Sequence, residues 1–131
     1  MEMKRRKKLS PANLEIMKVV WKKGEVTISE VMDAINRNRK DPLRRTTIQV
    51  QMNRLEEYGW LVHRKAGRSF YYAAAAGEQK TKKDLLKDIR NRVFGGSRAE
   101  LVRCLLEDGD ITAEEIQYLR KVIDDAGGEG Q

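Results

Sequence analysis

The sequence predicts a mainly α fold with one small β-hairpin, and three observations carry that prediction. Apolar residues recur at helical spacing in six stretches. The period changes once, between residues 61 and 73, to a strand-like one. Charge divides the chain: residues 1–76 sum to +9 and residues 77–131 to −2, which together give the net +7. A basic half joined to a mildly acidic half points to one region that meets a polyanion and another with a different task. At 131 residues the chain has room for one domain plus an appendage around a modest core.

The elements follow in order. Residues 1–8 form a basic arm, Lys4 to Lys8 being all cationic, read as disordered and adding salt-sensitive affinity for a polyanion. Ser10 before Pro11 opens the first helix, whose stripe is Leu14, Met17 and Trp21, widened by Ile16 and Val20; Gly24 ends it. Thr27 with Glu30 is a capping box, and Ile28, Val31, Met32 and Ile35 form the second stripe. "NRNRKDPL" is a basic connection broken by Pro42. The third helix, in "RRTTIQVQMNRLEEYGW", buries Ile48, Met52 and Leu55 and ends at Gly59. Runs 61–65 and 69–73 around Ala66-Gly67-Arg68 make the hairpin. Three helices with a basic hairpin appended is the order of a winged helix-turn-helix, placed at residues 9–76.

From Glu78 the chain is helical again. Leu86, Ile89 and Val93 mark a fourth helix ending at Phe94-Gly95-Gly96. Ser97 with Glu100 and Thr112 with Glu115 are capping boxes for two more, with stripes Leu101, Val102, Leu105, Leu106 and Ile116, Leu119, Ile123. Three short helices over residues 77–126 cannot bury these stripes alone and need another surface. Residues 127–131 read as a disordered tail.

The third helix carries the sharpest chemical signal. Opposite its apolar stripe stand Thr46, Gln49, Val50, Asn53, Arg54 and Glu57, where a solvated face would be rich in Lys and Glu. Amides pair with adenine edges, Arg with guanine, and a small apolar group with a thymine methyl in the major groove. A second reading stands beside it, in which Thr46 and Gln49 form a capping box. Arg44 and Arg45 lie at the helix's positive end, which favours phosphate. Glu57 repels phosphate, so the last turn points away from DNA. In the hairpin, Arg64, Lys65 and Arg68 suit phosphates or a minor groove; keeping an exposed edge from aggregating is the compatible alternative. His63 reads as structural or exposed, and Phe70, Tyr71 and Tyr72 as packing rather than base-stacking groups. Cys104 reads as a small buried or half-buried thiol, with redox sensing the rarer option.

Other classes find little support. No apolar run approaches membrane-spanning length, and the basic N-terminus leads into no secretory core, so a cytoplasmic location without membrane insertion is expected. One Cys excludes an intramolecular disulfide and a Cys-built zinc site. One His in a basic hairpin assembles no catalytic set, and no glycine loop or metal-ligand cluster suggests a cofactor.

With these motifs placed, residues 9–126 resemble the penicillinase and methicillin-resistance repressor family (BlaI/MecI type). "LSPANLEIMKVVW", "RTTIQVQMNRLEEYGWLVHRKAGRSFYY" and "FGGSRAELV" carry the resemblance, with Thr47, Ile48, Arg54 and Leu55 and the Gly95-Gly96 hinge its more specific parts. The resemblance implies a dimer whose C-terminal arms interlock, so that Leu86, Ile89, Val93, Leu105, Ile116, Leu119 and Ile123 become dimerisation residues. It also implies that Thr46, Thr47, Gln49, Val50, Asn53 and Arg54 read the halves of an inverted repeat. Relatives that answer β-lactams are released when a membrane sensor metalloprotease system leads to a cut at an Asn-Phe bond; here the aligned pair is Arg103-Cys104. The clustered cysteines of copper-responsive relatives are missing. The expected function is a homodimeric, sequence-specific repressor on a palindromic operator; the alternative is an architectural, sequence-tolerant nucleic-acid-binding protein.

Overall fold

The computed structural model describes residues 6–129. In order they form α1 (Pro11–Lys23), β1 (Glu25–Val26), α2 (Ile28–Asn36), α3 (Arg45–Glu57), β2 (Leu61–Ala66), β3 (Ser69–Ala74), α4 (Glu78–Val93), α5 (Arg98–Leu106) and α6 (Ala113–Glu129). Two compact units result, one running to Asp84 and one from Leu85. The sequence boundary at 76/77 marks the end of the wing, but the first turns of α4 belong with the first unit. There Thr81 is buried and donates its hydroxyl to the Gly77 carbonyl.

The first unit holds the core. Ser10 caps α1 by accepting from Asn13 N–H at 3.1 Å, and Gly24, at φ +90°, ends it. Thr27 and Glu30 exchange both bonds of the capping box at the start of α2. Ile16, Met17 and Val20 of α1, Val31 of α2 and Ile48, Met52 and Leu55 of α3 are all but sealed from solvent. Each such side chain contributes roughly 1.5–3 kcal/mol. Leu14, Trp21 and Met32, expected in the stripes, reach only partial burial.

The sheet has the antiparallel order β1-β3-β2. Strand β1 was not anticipated: two residues show no period, and only the pairing of Glu25 with Ala73 and Val26 with Tyr72 defines it. Between β2 and β3, Ala66 pairs with Ser69, leaving Gly67-Arg68 as a two-residue turn. Gly67 has φ +63°, and among the described residues no non-glycine has a positive φ. One positive φ at the first turn position is the II′ pattern, whose twist suits the flanking strands.

Two indoles fasten the ends of this unit. Trp21 donates Nε1–H to the Ala76 carbonyl at 2.9 Å, and Trp60 donates to the Lys7 carbonyl at 2.7 Å. Arg6 donates to the Gly59 carbonyl at 2.7 Å, and Lys7 lies 4.7 Å above the Tyr58 ring. The reading of residues 1–8 as one disordered arm is therefore corrected for Arg6 and Lys7, which these contacts hold; residues 1–5 lie outside the described residues.

The second unit is different in kind. From Leu85 onward no described residue is buried. Leu86, Ile89, Val93, Leu105, Ile116 and Ile123 are exposed and Leu119 is partly covered. Ser97 and Thr112 each accept from the backbone N–H three residues on, while Glu100 and Glu115 do not return the bond. Two expectations change. Helices α4 and α6 are not short, at 16 and 17 residues. And α6 runs through Gly127 and Gly128, where a disordered tail was expected, because glycine costs a helix only about 1 kcal/mol relative to alanine and no proline stops the ladder. Residues 130–131 lie outside the described residues.

Candidate nucleic-acid interface

Helix α3 turns Ile48, Met52 and Leu55 inward and leaves Thr46, Thr47, Gln49, Val50, Asn53 and Arg54 exposed. The capping-box alternative for Thr46 and Gln49 is not realised. Arg44 takes the extended cap position, with ψ 152°, so Thr46 falls inside the first turn and cannot cap it. No side chain caps this end, and its first N–H groups stay open beside the exposed Arg44 and Arg45. Arg45 is anchored to α2 by donating Nη1–H to Ser29 Oγ at 2.6 Å.

Val50 keeps half of its surface in water. It shares a shallow hollow with Thr46, Thr47, Gln51 and Arg54. Gln51 was not singled out from the sequence, although it stands four residues after Thr47 and three before Arg54, which is the spacing of helix-face neighbours. Hydroxyls, a methyl pair, amides and a guanidinium thus project together, the set that discriminates base pairs in the major groove.

The wing divides its cations. Lys65 and Arg68 are exposed, and neither joins an ion pair with a described residue. Arg64 differs from these two. Its guanidinium grips both Glu25 oxygens, at 2.8 and 2.7 Å, and lies 4.9 Å over the Tyr71 ring. The hydrogen bond to Glu25 raises the Arg64 pKa, and the same bond lowers that of Glu25. Arg64 is thereby a brace across the sheet rather than a free cation. The partner lies 39 residues away, which no local pattern reveals.

His63 ties the wing to α3, with Nδ1 2.6 and 2.7 Å from the two Glu56 oxygens, between the Phe70 and Tyr72 rings. His63 is thus both exposed and bonded within the fold. Of the aromatic trio only Tyr72 enters the core. Phe70 shares the face of β3 that Tyr72 uses but lies two residues nearer the turn, and it is exposed, with Lys65 5.7 Å above its ring. Cys104 is also exposed, against expectation, since nothing described covers α5. Its neighbour Arg103 bonds to Glu100 and Glu107. Among the described residues no His, Cys, Asp and Glu cluster suits a metal.

Residues 9–125 match the penicillinase repressor family. The penicillinase repressor of Bacillus licheniformis is 30% identical over 123 residues, 94% of each chain. Methicillin resistance regulatory protein MecI of Staphylococcus aureus strain N315 is 26% identical over 115 residues, 88% of this chain and 92% of that one. The solution structure of the DNA-binding domain of the repressor BlaI aligns at 36% identity with a TM-score of 0.51, over 58% of this chain and 90% of that domain. The winged helix-turn-helix, the exposed polar face of α3 and a family match over most of the length agree: the chain belongs to the penicillinase repressor family, a family of DNA-binding transcriptional repressors rather than enzymes.

Proposed function

We propose that this repressor binds a palindromic operator sequence-specifically, as a homodimer, in the cytoplasm. One observation carries the reading: α3 seals Ile48, Met52 and Leu55 in the core while holding Thr46, Thr47, Gln49, Val50, Asn53 and Arg54 in solvent. Those side chains read base edges, and Gln51 shares the surface. Arg44, Arg45, Lys65 and Arg68 meet phosphates and fix the register. Support for the dimer is the second unit, where Leu86, Ile89, Val93, Leu105, Ile116 and Ile123 are exposed and no described residue is buried. A two-fold pair places two reading helices at the spacing an inverted repeat demands.

Release of the repressor is a separate matter. A membrane sensor metalloprotease is the partner that the family resemblance suggests, but the pair at the corresponding position is Arg103-Cys104, with Arg103 held by two glutamates in α5. That argues against a cut at this bond as the inducing step. No helix of the described residues is long and apolar enough to cross a membrane.

A gel shift on the DNA upstream of the repressor's own gene, with a salt series and excess random duplex, tests the reading. A specific complex survives the competitor. Titration of every complex by random DNA would instead establish a sequence-tolerant architectural protein.

A further inference from the structure

The connection between α2 and α3 carries Arg37, Arg39, Lys40 and Arg44 against one acid, Asp41, with Arg45 following. A charge run of this sort is ordinarily a solvated loop with no fixed shape. This one has a frame. The Asn36 side chain, at the end of α2, donates to the Leu43 carbonyl at 2.9 Å and accepts from the Leu43 N–H at 2.8 Å. One amide thus satisfies both main-chain groups of Leu43 and shuts the loop, while the Leu43 side chain packs on the core. Inside, Arg39 N–H donates to the Asn36 carbonyl at 3.2 Å and Arg39 Nε–H to the Asp41 carbonyl at 3.2 Å. Pro42 restricts the backbone further.

None of these five cations joins an ion pair with a described residue, whereas Arg64, Lys80, Lys82, Arg92 and Arg103 all do. Five unneutralised charges repel one another, and holding them on a closed frame raises that cost. A polyanion removes it. The loop also leads directly into Arg44, the cap residue of α3, so it adjoins the end of the reading helix that favours phosphate.

We propose that this Asn36-closed loop is a second DNA-backbone contact, a preformed clamp that takes phosphates of the duplex beside the half-site, with Asn36 as its positioning residue. The proposal rests on the DNA-binding reading above. A fixed frame loses little freedom on binding, and each phosphate neutralised releases counterions independently of sequence.

The test compares the full-length chain with R37Q/R39Q/K40Q, with N36A, and with K18Q/K22Q/K23Q, which removes equal charge from exposed positions of α1. Affinity for operator and random duplex is measured across a salt series, with melting checked for each protein. The loop variant should lower the slope of log K against log salt by about 2–3 per protomer, at roughly 0.9 per phosphate contact. The ratio of operator to random affinity should stay parental, and the α1 variant should keep the parental slope. N36A, with every charge kept, should bind both duplexes several-fold more weakly while melting as a folded protein. An unchanged slope in the loop variant overturns the clamp, as does an equal fall in the α1 variant, which would reduce the effect to net charge. N36A binding as tightly as the parent overturns the role of the frame. A parent that binds both duplexes equally would refute base reading by α3, and the slope comparison on random duplex would still decide the loop.

Discussion

Asn53 and Arg54 stand opposite the sealed stripe of α3, with nothing described to occupy them. Replacing either by Ala should cost operator binding about 1–3 kcal/mol and relax preference at particular base pairs. Competition with base-substituted operators checks this; equal losses on operator and random DNA would demote both to phosphate contacts. Arg64 is the contrasting residue. Its charge is already matched by Glu25, so Arg64→Gln should leave the salt slope of DNA binding unchanged. The pair has a pH signature as well. The Glu25 carboxyl is held below its ordinary range by the bond to Arg64. Its contribution to stability is therefore present above the unfolded-state pKa and lost as pH falls through the lowered folded value. In R64Q the Glu25 carboxyl should titrate higher, toward the usual range, as NMR of its side-chain carbon would show. An unmoved titration would mean that the guanidinium does not govern it.

At the scale of elements, the wing is a two-residue turn that presents Arg68 beside the exposed Lys65. K65Q and R68Q should each flatten the salt dependence by about one and weaken all sequences alike. Fluorescence anisotropy at several salt concentrations measures it, and a parental slope in the double variant would take the wing out of the interface. Elements were legible in the sequence where the signal is local. Ser10-Pro11, the Thr27–Glu30 box and the Ile48/Met52/Leu55 spacing each specify structure within a turn or two, and the three helices and the hairpin followed. What escaped depends on distant partners: β1 exists only through β3, Arg64 is set by Glu25, and Arg6 and Lys7 are held by Gly59 and Trp60. The start of α3 misled for another reason. T-x-x-Q fits a capping box, but the helix begins with Arg44 in the cap position, and this left Thr46 and Gln49 free for the very face they were read on.

At the scale of the molecule, the two units differ in how they are stabilised. The first contains the buried cluster; the second shows exposed Leu86, Ile89, Val93, Leu105 and Ile123 on helices with little to rest on. Isolated helices of 9 to 17 residues are marginal in water, and the proposed dimer would give them cover. Truncation after Asp84, which keeps the buried Thr81, should give a folded monomer with far weaker operator affinity, because two linked half-sites become independent ones. Sedimentation and binding on both proteins decide it. A full-length monomer at micromolar concentration, or a truncated form binding as tightly as the whole, would refute the dimer mechanism.

The two indole bonds give this protein an optical consequence. Trp21 touches the exit of the wing and Trp60 the chain just ahead of α1, and these are its only tryptophans. Both fluorophores therefore sit at the seams where the first unit is fastened, and neither lies in the second. Emission spectra will record the opening of the first unit and remain blind to fraying of α5 and α6, which circular dichroism does see. A mismatch between the two signals on heating would mark the order in which the units let go. Single-Trp variants, W21F and W60F, would then assign the first loosening to one seam or the other.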